Sequence, residues 1–226
     1  MTRVTIFPET LYRLGPISIS DTVVTTWIVM AGIVSFCWLM TRKLTLRPTL
    51  LQQIVEALFE ATEKTVREML PIDPRFAVPI IGTLWILIGF SNLAGLVPGL
   101  TTPTADLNTT FAFAAISFSM AHILGIKTQG LKGYLAHYRE PSWILLPFHI
   151  IAEATRTVAL AIRLFGNMLS GDMIAVILLG VVGFLVPVPF AVLHVVIGLI
   201  QAYIFGVLTL VFIAGGIRNG KHHETG

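Results

Sequence analysis

The stretch ALAIRLFGNMLSGD, residues 159–172, places Arg163 in the middle of a long apolar segment. A guanidinium group stays charged at every accessible pH. Holding that charge at the centre of a bilayer costs from about 2.5 to more than 10 kcal/mol, depending on how the cost is measured. Arg163 also lies too deep in the apolar run to reach the membrane surface from a helix end. We therefore expect it to serve a function that needs a fixed positive charge inside the membrane.

The composition of the whole chain is that of a membrane protein. Of its 226 residues, 55% are hydrophobic and 12% are charged, whereas about 25% of the residues in a soluble domain are charged. The mean hydropathy is +0.83, so we predict an all-α, polytopic membrane protein. The net charge is only +3, and nucleic-acid binding has little support. The single cysteine, Cys37, excludes an intrachain disulfide and a cysteine-based metal site.

Hydropathy and charge predict one membrane domain over residues 1–226, with five membrane-crossing helices and one amphipathic helix. The predicted elements are an irregular outer arm (1–20), a first span (22–40), an amphipathic helix on the cytoplasmic side (51–70), two further spans (76–99 and 108–126), two long tilted helices that form a hairpin (141–184 and 190–217) and a tail (218–226). The basic segments all fall on one side, which places the N-terminus outside and the C-terminus in the cytoplasm. No cleavable signal peptide is expected.

Polar residues form a stripe along the helix that contains Arg163. At about 100° per residue, Arg163 and Asn167 share one face, and Arg156 and His149 continue it two and four turns earlier. Glu153 is three residues from Arg156 and close enough to pair with it. This helix therefore presents a polar stripe to one neighbour.

The last helix carries a second polar face. His194 and Gln201 are seven residues apart, and folding the helices antiparallel about residues 186–189 brings His194 near the level of Asp172 and Gln201 near that of Arg163. Asp172 lies nine residues past Arg163, about 13 Å along the axis and on nearly the opposite side. Titratable groups then form an outer cluster (Asp106, Asp172 and His194) and an inner cluster (His149, Glu153 and Arg156).

This pattern indicates two aqueous half-paths separated by a permanent positive charge. Acids and histidines can relay protons, whereas an arginine cannot. Arg163 would therefore block a direct leak, and it would attract a passing carboxylate and make it release its ion. That mobile carboxylate has no candidate in this chain, so we expect another subunit to supply it.

Several segments resemble subunit a of the rotary F-type ATP synthase. They are LAIRLFGNMLSGD (160–172), HVVIGLIQAYIFGVLTLVFI (194–213), SNLAGLVPG (91–99) and PTADLNTT (103–110). The resemblance extends from about Asp21 to the end and is closest to the bacterial form. It implies a non-catalytic stator channel without cofactor or metal in a bacterial inner membrane. The implied partners are the c-subunit ring, subunit b of the peripheral stalk, the remaining ATP synthase subunits and membrane lipid, with no nucleic acid.

The resemblance also implies roles for individual residues. Arg163 matches the arginine that faces the ring carboxylate, and Asn167 and Gln201 match the polar residues beside it. The outer-side matches are Asp172, at a position usually occupied by Glu, the histidine His194 and the loop acid Asp106.

Two residues depart from the family pattern, both in the inner half-path. His149 stands where many members carry Glu, and Thr157 follows the basic residue Arg156 where Pro is usual.

Other interpretations are open at this point. A free-standing ion-coupled transporter or channel would need all its titratable groups in one chain, and a passive scaffold leaves Arg163 unexplained. Glu153 and Arg156 could simply neutralise each other, and Asn167 and Gln201 could be interhelical hydrogen-bonding residues. The choice between H⁺ and Na⁺ depends on the partner ring.

Overall fold

The computed structural model describes residues 10–14, 17–42, 49–70, 73–97, 100–139, 146–182 and 187–218. Several predicted features fall outside these residues, wholly or in part. They are the first nine residues of the arm, most of the basic segment after residue 42, the turn before residue 187 and the tail beyond residue 218.

Within the described residues, helices make up most of the chain. They are α1 (Asp21–Thr41), α2 (Leu50–Met69), α3 (Pro74–Ala94), α4 (Leu107–Arg139), α5 (Leu146–Val182) and α6 (Pro187–Arg218), with a short 3₁₀ turn at Pro103–Ala105. All of these helices except α2 are long and apolar enough to cross a membrane. The predicted all-α, polytopic fold is confirmed.

The N-terminal arm differs from the irregular segment expected over residues 1–20. β1 (Thr10–Leu14) and β2 (Ile17–Ser20) pair as an antiparallel ribbon immediately before α1. The sequence of β2, ISIS, alternates a β-branched residue with a small polar one, and this period of two suits a strand.

The boundaries of the later helices also differ from the expected ones. α4 continues to Arg139 but breaks at Gly130, whose φ of 73° and ψ of 160° are readily adopted only by glycine, so the apolar span ends there. α5 begins at Leu146, and α6 begins at Pro187, where proline suits the first turn of a helix. With 37 and 32 residues, α5 and α6 exceed the roughly 20 residues of a perpendicular span, as expected for tilted helices.

The core lies between α3, α4, α5 and α6. One buried cluster joins the ends of α2 and α6 to α3 and α4, and a second fills the centre of the bundle and includes Ile88, Phe113, Leu164 and Phe205. Polar contacts reinforce this packing, because Gln129 of α4 donates to carbonyl oxygens in the last turn of α6. We call the two ends of the bundle the Asp106 end, which carries the 3₁₀ turn, and the α2 end.

α2 is amphipathic and contacts the bundle through its second half. Thr62 and Val66 are buried against it, and Glu63 and Arg67 form an exposed ion pair at 2.5 Å. The apolar residues of the first half, Leu50–Phe59, are exposed. This pattern suits a helix that rests on a membrane surface or a partner.

Candidate ion-translocation site

Arg163 lies at the middle of α5 on an exposed face of the bundle. Its neighbours Leu160 and Leu164 are buried in the core, so the helix is held firmly while the guanidinium group points away from the core. Among the residues that the structure describes, this group has no hydrogen-bond or ion-pair partner. An unpaired charge within a membrane span must meet water or another protein, because exposure to lipid costs several kcal/mol.

Asn167 and Gln201 join α5 to α6 one turn from Arg163. The Asn167 Nδ2 atom donates to Oε1 of Gln201 at 3.3 Å. Gln201 is buried, and its Nε2 atom has no partner within the described part of the chain. Gln201 therefore lies near Arg163 along the axis of the bundle, as predicted. Its hydrogen bond goes to Asn167, one turn further along α5.

Asp172 and His194 meet between α5 and α6, toward the Asp106 end. The distance between Asp172 Oδ1 and His194 Nε2 is 3.9 Å, which confirms the predicted register of the two helices. The Thr102 side chain, in the segment before the 3₁₀ turn, lies close to the Asp172 carboxylate. His194 Nε2 is buried and makes no hydrogen bond to the described residues. The atom of His194 that faces Asp172 is therefore a buried nitrogen without a hydrogen bond.

Asp106 is buried and anchors the loop at its end of the bundle. Its Oδ2 atom accepts from the Thr22 hydroxyl of α1 at 2.7 Å, and its Oδ1 atom accepts from the backbone N–H of Asn108 at 3.0 Å. The second bond caps the N-terminus of α4. No hydrogen bond or ion pair between described residues joins Asp106 to Asp172 or His194. In the described structure Asp106 thus joins α1 to the start of α4.

Asn92 is a polar residue of α3 to which the sequence analysis assigned no role. Its Nδ2 atom donates to the carbonyl oxygen of Gly198 at 2.7 Å, and its Oδ1 atom accepts from the Thr104 hydroxyl at 2.5 Å. It therefore ties α3 to α6 and to the 3₁₀ turn. The sequence does contain one indication of this contact, which is an amide side chain inside an apolar span. Polar side chains in such spans commonly hold helices together.

The α2-end cluster differs from the predicted one. Glu153 contacts His122 of α4, with 3.5 Å between Oε1 and Nε2, whereas no ion pair joins it to Arg156 in the described structure. The expected Glu153–Arg156 pair is therefore wrong. Packing of α5 against α4 turns the carboxylate toward that helix, while Arg156 and His149 are exposed.

His122 was not among the residues to which the sequence pattern gave a role. The sequence does contain one indication that this residue is unusual. His122 stands in a predicted span that has no charged residue from Leu107 to Ile126, and ionisable residues are rare in such spans.

The polar groups are arranged at three levels along α5. Glu153 and Asp172 lie about 15 Å and about 13 Å from Arg163 along the helix axis, in opposite directions. A neighbouring helix supplies a histidine to each carboxylate. Among the described residues, no group of three or more His, Cys, Asp or Glu side chains is placed to hold a metal ion.

Comparisons with known proteins show the family to which the chain belongs. A family model described as ATP synthase A chain matches residues 23–214. ATP synthase subunit a 2 of Pelobacter propionicus is 46% identical over 223 residues, covering 96% of this chain and 98% of the relative. ATP synthase subunit a 1 of Hahella chejuensis is 47% identical over 206 residues, covering 91% and 88%. ATP synthase subunit a of Legionella pneumophila is 43% identical over 208 residues, covering 92% and 90%. With five apolar helices long enough to cross a membrane, this chain is a multi-pass membrane protein that belongs to the ATP synthase A chain family.

Proposed function

We propose that this chain is the stator ion channel in the membrane sector of an ATP synthase, without catalytic chemistry of its own. Protons load and unload on a carboxylate of a rotating c-subunit ring through two offset half-paths. The observation that carries the proposal is the exposed Arg163, with a carboxylate–histidine pair on each side of it along α5. The names of the relatives support membership of the complex.

Arg163 separates the two half-paths in this proposal. Its exposed guanidinium group faces the ring. The ring carboxyl group arrives there in its protonated form. Attraction to the guanidinium group favours the ionised carboxylate, so the proton leaves before the ring moves on. Because arginine does not release its own proton, it cannot relay ions directly between the half-paths.

The half-path at the Asp106 end is assigned to the outer side. Asp172 and His194 receive the proton there, and the Asn167–Gln201 bridge lies between them and the level of Arg163. Two buried side-chain nitrogens along this route, Nε2 of His194 and Nε2 of Gln201, make no hydrogen bond to the described residues. Buried polar atoms usually find a partner, and water would supply it here. These atoms therefore support a hydrated path, and Asp106 shapes its mouth.

The half-path at the α2 end is assigned to the cytoplasmic side. Glu153 lies between Arg163 and that end, and His149 and Arg156 are exposed beside it. This assignment places the N-terminus outside and the C-terminus in the cytoplasm of a bacterial inner membrane. Subunit b of the peripheral stalk and the remaining subunits would hold the chain beside the ring. Each proton that crosses supplies about 2.3 kcal/mol per 100 mV of membrane potential.

The test is Arg163→Ala in the complete complex, measured as ATP-driven acidification of inverted membrane vesicles. We expect pumping to be abolished while the c-subunit ring still copurifies with the chain. Arg67→Ala is the matched control, because Arg67 is exposed on α2 and pairs only with Glu63 among the described residues. The control should pump at the unaltered rate, since an exposed pair contributes about 0–1 kcal/mol.

Two outcomes would contradict the proposal. Normal ATP-driven pumping by the Arg163→Ala variant would exclude an essential arginine barrier. Isolation of the unaltered chain without a ring of small hairpin subunits, but with intact ion transport, would instead favour a free-standing transporter or channel.

A further inference from the structure

Two carboxylate–histidine pairs bracket Arg163, and the pair at the α2 end involves a histidine to which the sequence assigned no role. The His122 Nε2 atom lies 3.5 Å from Oε1 of Glu153, ten residues before Arg163. The other pair, Asp172 and His194, begins nine residues after it. Each pair joins α5 to a different neighbouring helix. The structure therefore repeats one chemical arrangement at two levels of the membrane.

The His122 ring is held so that Nε2 faces Glu153. Its Nδ1 atom lies 2.9 Å from the carbonyl oxygen of Phe118, and the Phe118 and His122 rings are tilted at 42° with centroids 4.0 Å apart. A carbonyl oxygen only accepts hydrogen bonds, so Nδ1 carries the hydrogen. Nε2 is then the atom that can accept a further proton, and it is directed at the carboxylate.

Among the charged and titratable groups on the helices around His122, Glu153 is the acid of this half-path. On α5, His149 and Arg156 lie one turn before it and about one turn after it, and both are exposed. On α4, Lys127 follows His122 by five residues and is exposed. α6 carries no charged residue from Val195 to Ile217, and α3 carries none from Phe76 to Ala94. The His122 and Glu153 side chains are 26% and 30% exposed, so neither is enclosed within the bundle.

We propose that His122 and Glu153 form the proton-transfer pair of the half-path at the α2 end, which rests on the channel function proposed above. The Glu153 carboxylate takes the proton that leaves the ring carboxylate, carried to it through water. The proton then passes to His122 Nε2, which becomes an imidazolium while Nδ1–H stays bonded to Phe118. The imidazolium releases a proton to water at the α2 end, and both groups return to their starting charge.

The experiment measures proton flux through inverted vesicles stripped of the catalytic sector and driven by a potassium diffusion potential. We expect Glu153→Gln to lower the flux about 10²-fold, the low end of what a positioned proton-transfer group contributes. Glu63→Gln, an acid-to-amide change on the exposed face of α2, is the control and should leave the flux unchanged. His122→Gln should weaken the dependence of flux on medium pH between about 5 and 8, where a histidine changes charge.

Copurification of the ring with each variant establishes assembly. If Glu153→Gln prevents assembly, His122→Gln decides through its pH profile, because a purely structural histidine would leave the profile of assembled complexes unchanged. Assembled complexes of either variant with the flux and pH profile of the unaltered chain overturn the proposal. Arg163→Ala is run alongside. Normal pumping by that variant contradicts the channel function itself, whereas lost pumping with unaffected His122 and Glu153 variants contradicts only the pair.

Discussion

Asp172 Oδ1 and His194 Nε2 lie 3.9 Å apart between α5 and α6, and Gly171 makes this approach possible. A Cβ atom added at Gly171 would collide with the His194 ring. Glycine is therefore required here for space and not for a special backbone conformation. The close approach places an acid and a histidine at one level of the membrane, although 22 residues separate them in the sequence.

The first prediction concerns this contact. Gly171→Ala should move the His194 ring, separate the pair and lower ATP-driven pumping, with a loss of about 1–3 kcal/mol of stability from overpacking. Pumping in inverted vesicles and thermal unfolding of the purified complex measure the two effects. Gly180→Ala is the control, because nothing lies within 4 Å of a Cβ added to this other glycine of α5. Equal behaviour of the two variants would show that the approach does not matter.

The second prediction concerns the acid itself. Asp172→Asn keeps the size and one oxygen acceptor of the side chain but cannot exchange a proton, so pumping should fall by about 10²-fold. Asp172→Glu should retain most of the pumping, because it keeps the acid and lengthens it by one methylene. Initial rates of acidification, compared at equal amounts of assembled complex, measure both. A fully active Asp172→Asn variant would remove Asp172 from the half-path.

The third prediction concerns the bridge made by Asn92. Asn92→Ala should cost about 1–3 kcal/mol, because it leaves the Gly198 carbonyl and the Thr104 hydroxyl without the partners that they have now. Denaturant-induced unfolding of the purified chain measures the loss. Asn108→Ala is the control, since the Asn108 side chain is exposed at the start of α4. A similar cost for both substitutions would contradict the bridging role.

The fourth prediction separates two roles of Asp106. Asp106→Asn keeps one oxygen acceptor for the α4 cap, and its amide N–H can donate to the Thr22 hydroxyl oxygen, so we expect near-normal stability and pumping. Asp106→Ala removes both bonds and should cost about 1 kcal/mol for the cap, with a further loss for the Thr22 contact. Unfolding and pumping are measured on the same preparations. Abolished pumping in a stable Asp106→Asn variant would instead assign Asp106 a direct part in proton transfer.

Much of the molecule follows from the sequence alone. Hydropathy predicts the five spans, and the cost of a buried guanidinium group singles out Arg163. Helical periodicity together with one antiparallel turn predicts that His194 lies near the level of Asp172 and that Gln201 lies near the level of Arg163. These features are predictable because a helix fixes the angle between its own residues, and because a short connection fixes the relative levels of two adjacent helices.

The contacts of α4 with α5 and of α3 with α6 were decided only by the tertiary structure. Spacing within α5 predicted a Glu153–Arg156 pair, but the carboxylate turns to His122, 31 residues earlier in the chain. Likewise, nothing in the local pattern indicated that Asn92 meets Gly198. The angle and level at which two helices meet depend on how their side chains interlock, and periodicity within one helix leaves both quantities free. The sequence by itself therefore determined that a fixed charge stands inside a membrane bundle, and packing decided which histidine lies beside each acid.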